Sequence, residues 1–234
     1  MIARGIAGLQ QHSELSGLTQ AQLLNGVRQH MTGDIWQTID NVEWRYDERA
    51  RASILTISGT GLVAWEDDGD GAKSLTLPGG GFNPPQRRIR PPEQNQSLPY
   101  YNEPVFSCHV TTVRLPGSTR PNQWSFNSSF ETRIFGRTYY RAFDLRDQAI
   151  RMVRGTRIEV REFDAGAASR DNGRIARFDN SMAQIYFDPR PRREASAAAA
   201  RVPATFEIDW TADRVPCLPA SAGGSGPRVV ADRD

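Results

Sequence analysis

The sequence predicts a mainly β protein: an antiparallel β-sandwich, or a barrel-like sheet, with an N-terminal helix and an irregular C-terminal tail. Short segments in which apolar and polar residues alternate recur between residues 42 and 163, and this is the period of half-buried strands. Turn-forming Gly, Pro and Asp residues separate these segments at the intervals typical of a sandwich. Apolar residues at clear helical spacing occur only near the N-terminus.

Composition divides the chain into four segments. The length of 234 residues suits one domain with its own core plus extensions, and a hydrophobic fraction of 38% fits a folded centre with loose ends. The predicted segments are a helical segment at 1–33, an antiparallel β domain at 34–163 with a long Pro- and Gly-rich loop at 78–104, an extension at 164–190, and a mostly disordered tail at 191–234 in which residues 202–210 can dock as an edge strand.

The clearest helix signal begins at Thr19. Thr19 is a favourable N-cap, and Gln22 three positions later completes a capping box. Gly33 is the expected C-terminal stop. Leu18 before the cap and Leu23 at the fourth helical position can form a hydrophobic staple, and Leu24, Val27 and Met31 recur at helical spacing on one stripe.

After residue 33, apolar and polar residues alternate, and this period of two predicts the strands of the β domain. Gly59 and Gly61 fall inside the second predicted strand and indicate a bulge or a bend there. The predicted strands are marked by Val42, Trp44 and Tyr46; by Leu55, Ile57, Val63 and Trp65; by Leu75 and Leu77; by residues 105–115; by Trp124, Phe126, Ser128 and Phe130; by Tyr139, Arg141, Phe143 and Leu145; and by residues 148–153 and 157–163.

The acidic stretch at 65–77 presents a choice between a calcium loop and a hairpin. Its acids occupy alternate positions from Glu66, with Gly71 in sixth place, as at the start of a helix–loop–helix calcium loop. Such a loop needs a bidentate acid in twelfth place, where this chain has Leu77. Strand periodicity also flanks the stretch on both sides. We therefore predict a hairpin turned by Asp68-Gly69 or Asp70-Gly71, with solvated carboxylates.

The dipeptide Cys108-His109 is the one place where a thiol adjoins an imidazole. Adjacent residues of a strand point to opposite faces, so the two side chains cannot form a catalytic dyad with each other. We interpret Cys108 as a small buried apolar thiol and His109 as a surface histidine. The other cysteine, Cys217, lies in the tail, and the sequence leaves open whether the two are bonded.

Motifs for cofactors and for the common catalytic chemistries are missing from the sequence. It contains no HxH, HExxH or CxxC pair for a metal, no Gly-rich nucleotide fingerprint and no GxSxG elbow. We therefore assign no catalytic, cofactor-binding or metal-binding residue, and we expect the chain not to be an enzyme. The formal net charge of +2 predicts no nucleic-acid field, and no apolar run is long enough to span a membrane.

The long loop carries the most basic stretch of the chain, residues 86–92. Phe82, Tyr100 and Tyr101 flank it, and basic residues beside aromatic ones can bind single-stranded nucleic acid. Glu93 and Glu103 dilute the charge, so we favour a polyproline-like surface loop packed by its aromatic residues. A loop of this length is nevertheless where a binding function is expected.

Three stretches together resemble the C-terminal, non-catalytic β region of bacterial transglutaminase-like proteins: residues 17–24, residues 65–82 and residues 99–117. The resemblance implies a contact, within or between molecules, with a transglutaminase-like domain. It transfers no catalytic residue, because the Cys, His and Asp of that domain have no counterpart here. Without a signal peptide the chain is expected to be cytoplasmic, or periplasmic if it is part of a longer exported parent protein.

The leading functional hypothesis is therefore an accessory β-sandwich module that supports or positions a catalytic core. The first alternative is an independent glycan- or peptide-binding module. Its platform would be the aromatic rings of Tyr100, Tyr101, Trp124 and Tyr139, although the parity of the strands does not say which rings are buried. The second alternative is an enzyme without a recognisable motif. The sequence leaves the oligomeric state open.

Overall fold

The structure, a computed structural model, describes residues 1–31, 36–127, 129–190 and 202. These residues fall into two compact units, of which the first is Met1–Trp65 and the second begins at Glu66 and includes Val202. The predicted boundary between residues 33 and 34 lies inside the first unit. The predicted stop at Gly33, Cys217 and all of the tail except Val202 lie outside the described residues.

The first unit packs two helices on a small antiparallel sheet with strand order β1-β3-β2. Leu23 of the second helix is buried with Ile39, Val42 and Leu55 of the sheet. In sequence order the elements are β1 (Ile2–Arg4), α1 (Gly5–Leu15), α2 (Gln20–Met31), β2 (Thr38–Asp47) and β3 (Ala52–Thr60).

The capping box predicted for α2 is confirmed. The backbone N–H of Thr19 donates to Oε1 of Gln22 at 2.9 Å, and the backbone N–H of Gln22 donates to Oγ1 of Thr19 at 3.3 Å. Two N–H groups that the first helical turn leaves without backbone partners are thereby satisfied. A purely local sequence signal thus fixes where this helix begins.

The second unit contains two four-stranded antiparallel sheets and one short ribbon. The sheet orders are β7-β11-β10-β9 and β4-β5-β13-β8, and β12 pairs with β6 in the ribbon. The elements are β4 (Glu66–Gly69), β5 (Ala72–Thr76), β6 (Tyr100–Tyr101), β7 (Phe106–Arg114), β8 (Trp124–Phe126), β9 (Phe130–Ile134), β10 (Arg137–Arg146), β11 (Ala149–Ile158), β12 (Glu162–Phe163), α3 (Ala165–Arg174) and β13 (Gln184–Phe187).

The two larger sheets pack face to face through one apolar core. Phe143 and Met152, from the first of these sheets, are completely buried together with Ile185 from the second. The ring of Phe143 stacks on Phe126 with centroids 5.0 Å apart. The predicted fold class, mainly β with antiparallel sheets and an N-terminal helix, is confirmed.

The acidic stretch forms a hairpin, as the sequence predicted. Strands β4 and β5 pair across Asp70 and Gly71, which have φ angles of 50° and 79°. Two left-handed residues in succession are the geometry of the tight hairpin turn that suits the twist of the strands. Oδ1 of Asp68 accepts from the Ser74 hydroxyl, and the residues of β4 are exposed.

Among the described residues, no group of three or more His, Cys, Asp or Glu is arranged to hold a metal ion.

Several predicted elements differ from the structure. The second predicted strand ends at Thr60 instead of reaching Trp65. The alternation at 124–130 belongs to two strands in different sheets, β8 and β9. The extension at 164–190 contains a helix, α3, and a central strand, β13, neither of which was predicted.

The described helices give no indication of a membrane span. In the part of the chain that the structure describes, no helix combines enough length with enough apolar character to cross a bilayer.

Removal of the Phe143 ring tests the core between the sheets. We expect Phe143→Ala to lower the free energy of unfolding by about 3–5 kcal/mol, because a fully buried ring leaves a cavity. Phe106→Ala is the matched control, since Phe106 is 48% exposed, and it should cost less than about 1 kcal/mol. Urea denaturation of both variants measures this difference, and equal losses would contradict the described core.

Candidate functional site

A cleft of about 240 Å³ in the second unit is the candidate site. It lies between the long loop, the turn that joins β9 to β10, and the start of β10. Its lining residues are Pro85, Gln86, Arg87, Arg88, Asn102, Ile134, Phe135, Arg137 and Tyr139.

The β9–β10 turn shapes one wall of the cleft. Phe135 and Gly136 have φ angles of 51° and 69°, and they join the paired residues Ile134 and Arg137. Both turn residues are therefore left-handed, as a two-residue hairpin with a type I′ turn requires. A Cβ atom on Gly136 would lie 2.6 Å from the carbonyl oxygen of Val160, so glycine is needed here for a close approach as well.

Asn102 connects this turn to the long loop. Its side chain is almost fully buried, and Nδ2 donates to the carbonyl oxygens of Phe135 at 2.6 Å and Val160 at 3.0 Å. Oδ1 of the same amide accepts from Nη2 of Arg88 at 3.2 Å. One buried amide thus fixes both the turn and a guanidinium group of the cleft.

Helix α3 supports the same two segments from outside the cleft. Oδ2 of Asp171 accepts from the backbone N–H of Phe135 at 2.6 Å. The side chain of Asn172 accepts from the backbone N–H of Arg88 and donates to its carbonyl oxygen, both at 2.9 Å. The helix itself is capped by Asp164, whose carboxylate accepts from the N–H of Ala167.

The charge of the cleft is positive. Three of the nine lining residues, Arg87, Arg88 and Arg137, carry guanidinium groups, and none of the nine is an acid. Within the described ranges, none of these three arginines forms an ion pair with a carboxylate. Nearby arginines outside the cleft do form such pairs, for example Arg174 with Asp171 at 2.9 Å.

Aromatic rings help to orient two of these cations. The guanidinium carbon of Arg88 lies 6.0 Å from the ring centroid of Phe135, and that of Arg137 lies 6.0 Å from the ring centroid of Tyr139. Burial raises the pKa of the Tyr139 phenol, although the charges of Arg137 and Arg88 oppose the effect. The phenol therefore keeps its proton at neutral pH and can act as a neutral hydrogen-bond partner.

The lining of the cleft offers mainly hydrogen-bond donors and positive charge. Guanidinium groups stay charged at any physiological pH and donate in a planar fork that matches carboxylate and phosphate oxygens. None of the nine lining side chains is an imidazole, a carboxylate or a thiol. The lining thus lacks the usual general bases and nucleophiles.

The four aromatic residues predicted as a ligand platform are placed in different environments. Tyr139 is buried, 5% exposed, with part of its surface lining the cleft, and Tyr101 is 56% exposed on β6. Tyr100 stacks on Phe163, and the guanidinium group of Arg90 lies 3.9 Å from its ring centroid.

Trp124 needs a correction to its predicted role. It is buried in the core between the sheets, 4% exposed, and its indole N–H donates to Oγ1 of Thr119. The ring therefore offers no face to a ligand. The burial of Trp124 could not be predicted from the sequence. Alternation assigns residues to the two faces of a strand, but it does not say which face is covered by another sheet.

The structure also separates Cys108 from His109, as strand geometry predicted. Cys108 packs with the cluster around Tyr140, whereas His109 contacts Oγ1 of Thr111 at 3.0 Å and lies against Gly79. The interpretation of Cys108 as a small buried thiol was wrong, because this cysteine is only partly buried and is disulfide-bonded, a question that the sequence had left open.

Comparisons with protein-family models, with curated proteins and with solved structures find no match to this chain.

The pKa of His109 generates a prediction for stability. Burial lowers this pKa, and the neighbouring charge of Arg154 lowers it further. A lowered pKa in the folded state means that the unfolded chain binds the proton first as the pH falls below about 6.5, so stability decreases in that direction. Because His109 lies on the surface, where solvent screens charges and limits the effect of burial, we expect a slope well below the limit of about 1.4 kcal/mol per pH unit for one proton.

Urea denaturation between pH 7.5 and pH 5.5 measures this slope. His109→Gln should flatten it, whereas the control His30→Gln, on the exposed end of α2, should leave it unchanged. A slope that persists in the His109 variant would assign the proton uptake to other groups.

Proposed function

We propose that this chain is a non-catalytic binding module whose second unit holds an anionic group in the arginine-lined cleft. One observation carries the proposal: three arginines line a concave site, and none of the described residues that line it carries a carboxylate. Positive charges brought together in a protein without acidic partners repel one another, and a bound anion would offset that repulsion. The hydrogen bonds of the buried Asn102 and of Asn172 on α3 hold the site in shape before a ligand arrives.

The size of the cleft limits what it can hold. A volume of about 240 Å³ is below the roughly 300–1,000 Å³ of sites that enclose a whole small molecule. The ligand would therefore be one carboxylate, sulfate or phosphate group on a larger chain, bound end-on. Among such chains we favour acidic peptides and acidic glycans, because the tyrosine hydroxyl and Gln86 can serve polar groups beside the anion.

A nucleic-acid ligand is less well supported. Binding along a phosphate backbone uses a continuous basic track, and its affinity grows with the number of phosphates neutralised. In the loop that carries Arg87 and Arg88, Glu93 and Glu103 interrupt the basic residues, and the net charge of the chain is only +2. Recognition of a single anionic group suits this charge distribution better.

The accessory role beside a transglutaminase-like core stays a prediction. An anion-binding cleft is compatible with such a role, since it could hold an acidic segment of a neighbouring domain. The disulfide at Cys108 favours an oxidising compartment, which agrees with the periplasmic alternative better than with a cytoplasmic location.

Replacement of the cleft arginines tests the proposal. Acetylglutamate, glucuronate and inorganic phosphate serve as probes and glucose as the neutral control, and binding is followed by NMR of backbone and arginine side-chain N–H groups. We expect at least one anionic probe to bind. We expect Arg88→Ala and Arg137→Ala each to weaken that binding by about tenfold or more, because each removes a charge-assisted hydrogen bond of about 1.5–3 kcal/mol.

The matched control is Arg133→Ala, which removes an exposed arginine of β9 that does not line the cleft. Its affinity should equal that of the unaltered protein. Arg137→Lys keeps the charge and loses the fork, so an intermediate affinity would support bidentate recognition. The proposal fails if none of the anionic probes shifts the cleft resonances, or if all the arginine variants bind alike.

A further inference from the structure

The sheet β7-β11-β10-β9 has a second apolar surface on the face opposite the sandwich core. Its residues alternate along the strands with those of the core, so they point the other way. This surface contains Tyr140 and Ala142 from β10, Val153 from β11, and Cys108 and Val110 from β7. Val202 packs into it from a distant part of the sequence and is completely buried.

The backbone of Val202 is also recognised, and by side chains rather than by a neighbouring strand. Its N–H donates to Oδ2 of Asp144 at 2.6 Å, and its carbonyl oxygen accepts from Nη2 of Arg146 at 3.2 Å. Asp144 is itself 2% exposed, with guanidinium nitrogens of Arg146 and Arg151 at 3.6 and 3.8 Å. The side chain, the backbone N–H and the backbone carbonyl of Val202 are therefore all bound at the same place on the sheet.

The sequence around Val202 suits this mode of binding. Pro203 follows it, and a residue before proline is restricted to extended backbone conformations. An extended residue directs its N–H and its C=O outward, where side chains can reach them. The aliphatic side chain then enters the apolar surface.

A disulfide bond at Cys108 points to the same C-terminal segment. Cys108 adjoins the apolar surface and is disulfide-bonded, and the chain contains only one other cysteine, Cys217. A bond within one chain consequently has Cys217 as its partner. Cys217 follows Val202 in the sequence, so both links would hold the C-terminal segment to one face of the sheet.

We propose that Tyr140, Ala142, Val153, Asp144 and Arg146 form a socket for an extended aliphatic peptide segment, filled by the chain's own Val202 and secured by a Cys108–Cys217 disulfide. The bond forms when two thiols transfer two electrons and release two protons to a disulfide-exchange oxidant, which is reduced to thiols. A dithiol reductant reverses this step. The socket lies outside the anion-binding cleft and does not depend on the function proposed for it.

Trypsin cleavage after Arg201 tests the occupant of the socket. Arg201 directly precedes Val202, and a segment held at Val202 should resist a protease. We expect Val202→Asp to speed cleavage by about tenfold or more in the full-length chain, because it places a carboxylate in an apolar socket beside Asp144. Val202→Ile should be cleaved no faster than about twofold above the unaltered chain, since the aliphatic contact is kept.

A second pair of variants separates recognition from general instability. Asp144→Asn removes the buried carboxylate and should also speed cleavage, whereas Asp147→Asn, on an exposed acid that pairs with the same Arg151, should not. A synthetic peptide of residues 199–206, added to the Val202→Asp chain, should bind and shift the amide signals of β10. The same peptide with Asp in place of valine should not.

Intact mass under non-reducing conditions tests the covalent link. The oxidised chain should weigh two hydrogens less than the reduced chain, and the C-terminal fragment released by trypsin should separate only after reduction. Equal cleavage of the unaltered and Val202→Asp chains would overturn the socket, and a dithiol mass would overturn the disulfide. A dimer that Val202→Asp converts to a monomer would overturn the assignment to the chain's own segment and give the socket to a second copy.

Discussion

The hairpin of β10 and β11 is the element on which the second unit depends, because both of its faces are buried. Its ten paired positions run from Arg137 with Ile158 to Arg146 with Ala149. One face supplies Phe143 and Met152 to the core between the sheets, and the other supplies Tyr140 and Val153 to the surface that Val202 covers. A slip of one residue would exchange the two faces, so the register is fixed by burial on both sides.

A buried cation on this hairpin organises the loop that builds the cleft. Arg141 is 1% exposed, and its guanidinium group donates to the carbonyl oxygens of Gly80 at 3.1 Å and Ser181 at 2.7 Å, and to Asp179 at 3.3 Å. A buried guanidinium must have such partners, since the loss of water would otherwise be very costly. The loop backbone at Gly80 is thereby held against the sheet.

The residue opposite Arg141 on β11, Arg154, also contacts the long loop. Arg154 pairs in register with Arg141 and lies 4.4 Å from the ring centroid of Phe82. Phe82 in turn packs edge-to-face on Tyr139, with ring centroids 5.5 Å apart, and Tyr139 lines the cleft. Burial lowers the pKa of both arginines, and the charge of Arg141 lowers that of Arg154 further, whereas Asp179 opposes the effect at Arg141. The contacts of these two arginines connect the interior of the sheet to the wall of the site.

Local sequence signals predicted much of the fold and little of the site. The capping box at Thr19, the Asp70-Gly71 turn and the alternation in β10 each depend on residues close together in sequence, and each is confirmed. Helix α3 was missed because it lacks an apolar stripe and buries only Ala168. The cleft was missed because the bonds that assemble it, such as the one from Asn172 to the backbone of Arg88, join residues 84 positions apart.

The cleft and the Val202 socket show two uses of the same side chain. In the socket, Arg146 and Arg151 lie beside a buried carboxylate, and Arg146 donates to a backbone carbonyl of the chain itself. In the cleft, Arg88 is held by Asn102, and none of the described residues that line the space is an acid. Arginine is the same cation in both places, so the position of the carboxylates decides its role. In the socket a carboxylate of the chain itself is the partner of these cations, whereas in the cleft we propose that the partner is an anionic ligand.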